Sequence, residues 1–385
     1  MKKINLLLMA STLTLGLFSC GDPDDGRSRE LAPTEGQKIE TKTGIGKLSK
    51  AVETMADGTN ALSASLSKTS TFSISGTSSS SYNDDPTRNA TYTYDIAISK
   101  PLFDVRGIGL SGNEAKSAKA SLFLGGDFKG TLQKDGVGNE NNINALNAAL
   151  SLYLNDGTFY VDPTKAKNII KQVAVAASGN SNVGLILEGL LRDKYKVVDA
   201  ISDVDMPLVS SSFVTEIDNY LSLFSENAEA YKDFLNLSEK DGNYSFYLTL
   251  TKEDLIRILD DSQNKYADKD SSDYNPIDFS AEFKDSVVNA FELLITFNES
   301  AVLSADFNID MNMIGDSDIA TSSEVVGTVE SDNHFIGKGK IEFGATSPAK
   351  PVDSDFIDGK EAVSKIDEAL KKAGVDISEI IGSII

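Results

Sequence analysis

Between Leu303 and Met313 apolar and polar residues trade places at every step, through Ser304, Ala305, Asp306, Phe307, Asn308, Ile309, Asp310, Met311 and Asn312. Successive side chains of a strand point to opposite faces, so this period of two predicts a β-strand with one face buried and the other wetted. Such a strand needs partners, and they are legible on both sides. Phe291–Phe297 precedes it across Asn298-Glu299-Ser300, and Val325–Val329 and Phe335–Phe343 follow. An earlier set of alternating runs occupies Phe72–Ser75, Thr91–Ile98, Ser121–Leu132, Ala149–Leu154 and Thr158–Val161, with a polar loop expected over Thr77–Asn89. Asn155-Asp156-Gly157 separates the last two, and Asp-Gly between alternating runs is a strong hairpin signal. The chain therefore predicts two antiparallel meanders.

Helical periodicity fills the gaps. Ile45–Leu66 carries Leu48, Val52, Met55, Leu62 and Leu66 at helical spacing, with Gly58 in its middle. Thr164–Ala177 and Phe213–Leu237 repeat the pattern. Tyr244–Leu250 alternates as a strand and runs into Lys252–Asp260, where Thr251 is the expected N-cap and Asp254 its capping-box partner. A short amphipathic helix over Lys360–Ala373 and an apolar tail over Val375–Ile385 close the chain.

A helix, a meander with a hairpin, a helical middle, a strand entering a helix, and a second meander make an order that resembles the LolA-like and LppX-like lipoprotein carriers. The resemblance covers Ile45–Phe343 and is carried by the Leu150–Val161 and Tyr244–Ile258 segments. It implies an α+β fold in which a strongly curved antiparallel β-sheet, a half-barrel, has helices packed over its concave face. It also implies room for a lipid or other apolar ligand between sheet and helices. No ligand-contacting residue carries over, because such proteins recognise lipid by cavity shape and apolar lining.

The N-terminus sets the compartment. Lys2 and Lys3 precede an apolar stretch from Leu6 to Phe18, too short to span a bilayer, and Leu17-Phe18-Ser19-Cys20 with Gly21 ends it. This resembles the lipobox of bacterial lipoproteins, and Cys20 is the single cysteine of the chain. The resemblance implies removal of a signal peptide over 1–19, acylation of Cys20, and a protein held extracytoplasmically by its acyl chains. Two or three chains, at about 0.8 kcal/mol per buried methylene, are enough to hold it. The expected divisions are that leader, an acidic disordered tether over 20–44, a half-barrel domain over 45–350, and a C-terminal helix and apolar tail over 351–385. The acids Asp22, Asp24 and Asp25 resemble the surface-export signal of Bacteroidetes lipoproteins, interrupted by Pro23. The same leader suits a Gram-positive or mollicute lipoprotein on the outer face of its one membrane.

Without residues 1–19, Lys2 and Lys3 are gone, so 34 basic residues face 58 acids, a net charge of −24. Such a surface repels phosphate backbones and anionic headgroups, which disfavours both nucleic acid and electrostatic docking on a membrane. With Cys20 acylated no disulfide can form, and the core must come from apolar side chains, among them 18 Phe and 12 Tyr.

Enzymatic chemistry finds little to use. His334 is the one histidine, expected at a turn into a strand, and no Gly-x-Ser-x-Gly elbow accompanies it. Zinc would need three or four Cys, His or carboxylate ligands. Asp268-Lys269-Asp270-Ser271-Ser272-Asp273 clusters oxygen ligands but lacks the glycine and distal glutamate of an EF-hand loop. Gly107, Gly109, Gly125 and Gly126 lie in or beside strands, where they mark bends rather than a phosphate loop. Tyr92, Tyr94 and Tyr153 suit half-buried strand positions, and there is no tryptophan to stack on sugars. No metal and no cofactor is expected. The reading is a non-enzymatic, membrane-anchored lipoprotein of the cell envelope that holds a lipid or apolar ligand. Its rival is a surface-interaction, adhesion or envelope-assembly lipoprotein with a filled core and no ligand.

Overall fold

In a computed structural model the described residues are 27–31, 36–57, 61–67, 69–108, 119–135, 141–155, 158–178, 181–197, 212–267, 276–320, 325–344 and 356–358. The first half runs β1 (Gln37–Lys38), α1 (Thr41–Glu53), β2 (Ala56–Asp57), β3 (Ala61–Ser65), β4 (Thr71–Tyr82), β5 (Ala90–Ile108), β6 (Lys119–Lys134), β7 (Asn141–Asn155) and β8 (Thr158–Asp162). A middle section holds α2 (Lys167–Ser178), α3 (Ser181–Leu190), β9 (Tyr195–Val197) and α4 (Ser212–Glu226). The remainder is β10 (Leu235–Lys240), β11 (Asn243–Thr249), α5 (Lys252–Tyr266), α6 (Phe279–Glu282), β12 (Val287–Phe297), β13 (Val302–Ala320), β14 (Val325–Glu342) and β15 (Ile357–Asp358).

The fold is α+β. Its strands form one large, open, curved sheet in the order β1-β10-β11-β12-β13-β14-β4-β5-β6-β7-β8-β9-β15, with β2 and β3 branching from β5. The two meanders expected from sequence are thus joined edge to edge by the pairing of β14 with β4. Pairing is antiparallel except where β15 adds parallel to β9. The hairpin expected here is borne out by the antiparallel pairing of β7 with β8, with Asn155 opposite Thr158.

Cross-strand register sorts the side chains into two faces. One row on the apolar face runs Leu248, Leu293, Phe307, Gly339, Phe72, Ile98, Phe128, Ala145 across eight strands. Gly339 lets Phe72 and Phe307 meet above it, with ring centroids 5.9 Å apart. A Cβ there would lie 2.4 Å from the Thr71 carbonyl and 2.5 Å from Phe72, closer than any side chain tolerates. On this face α1 contributes Ile45, Leu48 and Ala51, α4 contributes Leu221, Leu223 and Phe224, and α5 contributes Ile258. They enclose Leu237, Phe246, Phe297, Phe307 and Ile309, each no more than 2% exposed. Burying a side chain of this size contributes about 1.5–3 kcal/mol. Phe224, Tyr231, Phe234 and Phe246 interlock here at centroid distances of 4.9 to 6.0 Å.

Several expectations need correction. Ile45–Leu66 is not one helix: α1 begins at Thr41, capped by the Glu40 carboxylate on the N–H groups of Lys42 and Thr43, and ends at Glu53. Leu62 belongs to β3, drawn into the sheet by pairing with Ile108. The serine-rich run expected as a loop continues β4 as far as Tyr82, between β14 and β5. The helix expected to reach Leu237 stops at Glu226, because Leu235 and Leu237 pair with Leu248 and Phe246. Thr251 and Asp254 do form a capping box, and α5 extends beyond Asp260 to Tyr266.

Both ends of the 45–350 domain also move. Gln37 and Lys38 add to β10, and the Ile39 N–H donates to the Leu237 carbonyl, so 20–44 is not wholly a tether. Phe356, from the expected C-terminal unit, is 6% exposed and packs edge-on against Tyr160, with β15 following in the sheet. The leader, Cys20, the Asp268–Asp273 loop, and the expected helix and tail beyond Asp358 lie outside the described residues.

Candidate functional site

The apolar face is covered unevenly. Over β10–β14 it is sealed by α1, α4 and α5, whereas over β4–β8 buried Ile98, Ile143, Ala145 and Leu154 alternate with side chains that are only half-buried. Ile74 and Ile96 pair directly, and Val105, Leu122, Leu152 and Val161 form a row across four strands. Ile74, Ile96, Leu122, Phe128, Leu150 and Leu152 are half-buried, and Leu124, opposite Phe103 and Leu150, is 39% exposed. Val173 of α2, which packs against β6 and β7, is 37% exposed. Tyr94 stands opposite Leu132 on this face, and burial raises its phenol above the usual range.

A bend line crosses β5, β6 and β7 and shapes this surface. Lys100 (φ 48°) and Asn147 (φ 52°) are left-handed, and Gly126 (φ 150°) lies between their strands. Register slips at the same level, between Ser99 and Leu102 and between Gly126 and Phe128. Pro101 has no N–H to give the ladder there. Asp127 ties the line together: its carboxylate accepts from the Asn147 N–H at 2.7 Å and from Lys100 Nζ at 2.9 Å. The Asn147 N–H first, and Lys100 second, hold its pKa below the ordinary carboxylate value. Bulges of this kind bend a strand and increase its twist. Sequence reading flagged Gly125 and Gly126 as a bend but missed Asp127, whose signal was its place directly after them.

The opposite face holds polar groups that are buried rather than wetted. Ser304, Asn308 and Glu292 are 7%, 3% and 0% exposed. Tyr247 donates to Glu292 at 2.5 Å. Burial foremost, then that bond, push the Tyr247 phenol upward, and Arg29 pulls the other way. The segment 27–31 is the cover: Arg27 pairs with Asp254 at 2.8 Å, the Ser28 carbonyl accepts from the Thr249 hydroxyl at 2.7 Å, and Glu30 meets Lys338 at 3.3 Å. Nothing in the composition of 20–44 announced this strap. Its trace in sequence is the pair of arginines, Arg27 and Arg29, amid acids. Further along, Phe123 and Tyr153 pack edge-on at 4.9 Å, and burial with Asp162 and Asp104 nearby pushes the Tyr153 phenol to about 12.

His334 is not at a turn. It sits within β14 opposite Asn312 and Thr77, and its Nε2 lies 2.9 Å from Asp310, which also accepts from Asn289 at 3.1 Å. Asp310 and His334 thus form a polar pair on the sheet face. Among the described residues no group of three or more His, Cys, Asp or Glu could hold a metal ion. Among them, too, no helix is long and apolar enough to cross a membrane. Of the apolar stripes expected to line a cavity, Phe307, Ile309, Met311 and Leu154 are buried, while Leu150, Leu152 and Met313 are half-buried.

No family model and no curated protein matches the chain. Over 74% of its length it is similar to part of a solved structure of lipid–protein interactions in lipovitellin, at 10% identity and a TM-score of 0.20. The chain spans 26% of that protein's own chain. A superposition so loose carries no conclusion about ligand or family.

Proposed function

We propose that this is a non-enzymatic lipoprotein, acylated on Cys20 and anchored on the outer side of a membrane, that holds a lipid or another apolar molecule against the apolar face of β4–β8. In this reading the open sheet is a half-barrel with helices over its concave side. The observation that carries it is the half-buried surface of Ile74, Ile96, Leu122, Phe128 and Leu152 beside a filled core. Apolar area left open in this way is favourable to cover, at about 25 cal/mol per Å².

Lipid extraction and native mass spectrometry of the purified protein test it. Co-purified lipid is expected in the wild type and should fall sharply in Ile96→Glu, which puts a charge on the open face. Purification without any apolar ligand would refute it. Labelled palmitate tests the anchor separately: incorporation should be lost in Cys20→Ser, and equal labelling of both chains would refute acylation there.

The rival, a surface-interaction or envelope-assembly lipoprotein, draws on a different observation. The face under α1, α4 and α5 is already filled by Phe224, Tyr231, Phe234 and Phe246. It predicts a ligand-free protein that retains a specific partner in detergent-solubilised membranes.

A further inference from the structure

We infer that the domain rests directly on the bilayer that holds its acyl chains, with the strand ends where β11 hands over to α5 turned toward the lipid. This rests on acylation of Cys20 and goes beyond it, to how the anchored domain is oriented. The leash is short because the strap is pinned. Arg27 and Asp254 pair at 2.8 Å with their side chains only 13% and 3% exposed. Asp254 is itself fixed, accepting from the Thr251 N–H and hydroxyl at 3.1 and 3.0 Å. The next residue engages Thr249, and Leu31 packs against the core.

Cys20 and Arg27 are seven residues apart. At about 3.5 Å per residue the fully extended chain between them reaches about 25 Å, and a flexible one averages about 15 Å. A leash running free to Ile45 would reach about 90 Å and leave the domain unoriented. The acylated cysteine must therefore enter the bilayer close to the start of α5. The far ends of β11 and β12 are level, Tyr244 pairing with Phe297, and lie about 20 Å from Thr249 along the strands, at 3.3 Å per residue. Those ends carry the turns at Asp241-Gly242 and Asn298-Ser300.

Energy transfer on the full acylated protein in phosphatidylcholine vesicles, which carry no net charge to repel the acidic domain, tests this. Donors go on Lys284→Cys, beside the start of α5 where Lys252 bonds the Lys284 carbonyl, or on Ser300→Cys at the opposite end; both positions are exposed. Acceptors are placed on lipid headgroups. Flotation with the vesicles is scored first, and failure to float refutes the anchor and the docking together. In floating protein, transfer from position 284 should exceed that from 300 by at least about twofold, given that the whole of β12, about 35 Å at 3.3 Å per residue, lies between them. Inserting twenty Gly/Ser residues between Gly26 and Arg27 should lower both and bring them together. Equal transfer from the two positions with the native leash, or no response to the insertion, refutes the docking while the acylation stands.

Discussion

Glu292 is fully buried on the polar face of the sheet, and Tyr247 donates to its carboxylate at 2.5 Å. Hydrogen bonds to charged groups are the strong ones, so Tyr247→Phe should destabilise the protein by about 1.5–3 kcal/mol, read by urea unfolding. The alternation at Tyr247 and Glu292 showed which face each occupies but not that the face is covered, because the cover comes from a segment more than two hundred residues away. Asp127 gives a pH signature. Its pKa is depressed in the folded state, so its contribution is present above the unfolded value of about 3.9 and is lost as pH falls through the folded value. Asp127→Asn should therefore melt lower than wild type at pH 7. In a series of thermal melts the gap should hold down to the ordinary carboxylate range and close only as the pH falls below it, through the folded value. A gap that persists in acid would mean that the carboxylate charge is not what holds the bend.

At the scale of elements, what was legible is what local chemistry decides. The alternating run of β13, the hairpin between β7 and β8, and the capping box of α5 all emerged where expected. What was not legible is what pairing decides. Leu62 and Leu235 continued helical patterns, yet both sit in strands because partners at Ile108 and Leu248 were waiting. Ser78 to Ser81 reads as loop by composition and is strand because β14 and β5 flank it. The bend across β5, β6 and β7 was half-visible through its glycines. Gly126, at φ 150°, holds a conformation that side chains rarely adopt, and a Cβ would meet Pro101 and Ser99 at 3.2 Å. Gly126→Ala should destabilise by about 1–3 kcal/mol. Because the bend shapes the open apolar face, the same variant should also change lipid retention.

For the molecule as a whole, the strap and β1 shift the start of the folded unit from Ile45 to Arg27. A chain beginning at Arg27 should unfold as cooperatively as the full chain. One beginning at Ile45 breaks the buried Arg27–Asp254 pair and should lose about 3 kcal/mol or more, measured by denaturant titration. Equal stability of the two would return that segment to the role of a spacer. The ends of the sheet have a further consequence. An open sheet offers its first and last strands as templates on which identical molecules can stack without limit. Here β10 is closed off by Gln37 and Lys38, and β9 by Ile357 and Asp358, each a cap of two residues. Molecules confined to a plane meet their own kind far more often than molecules in solution. On the membrane surface proposed above, these four residues would be what limits such stacking.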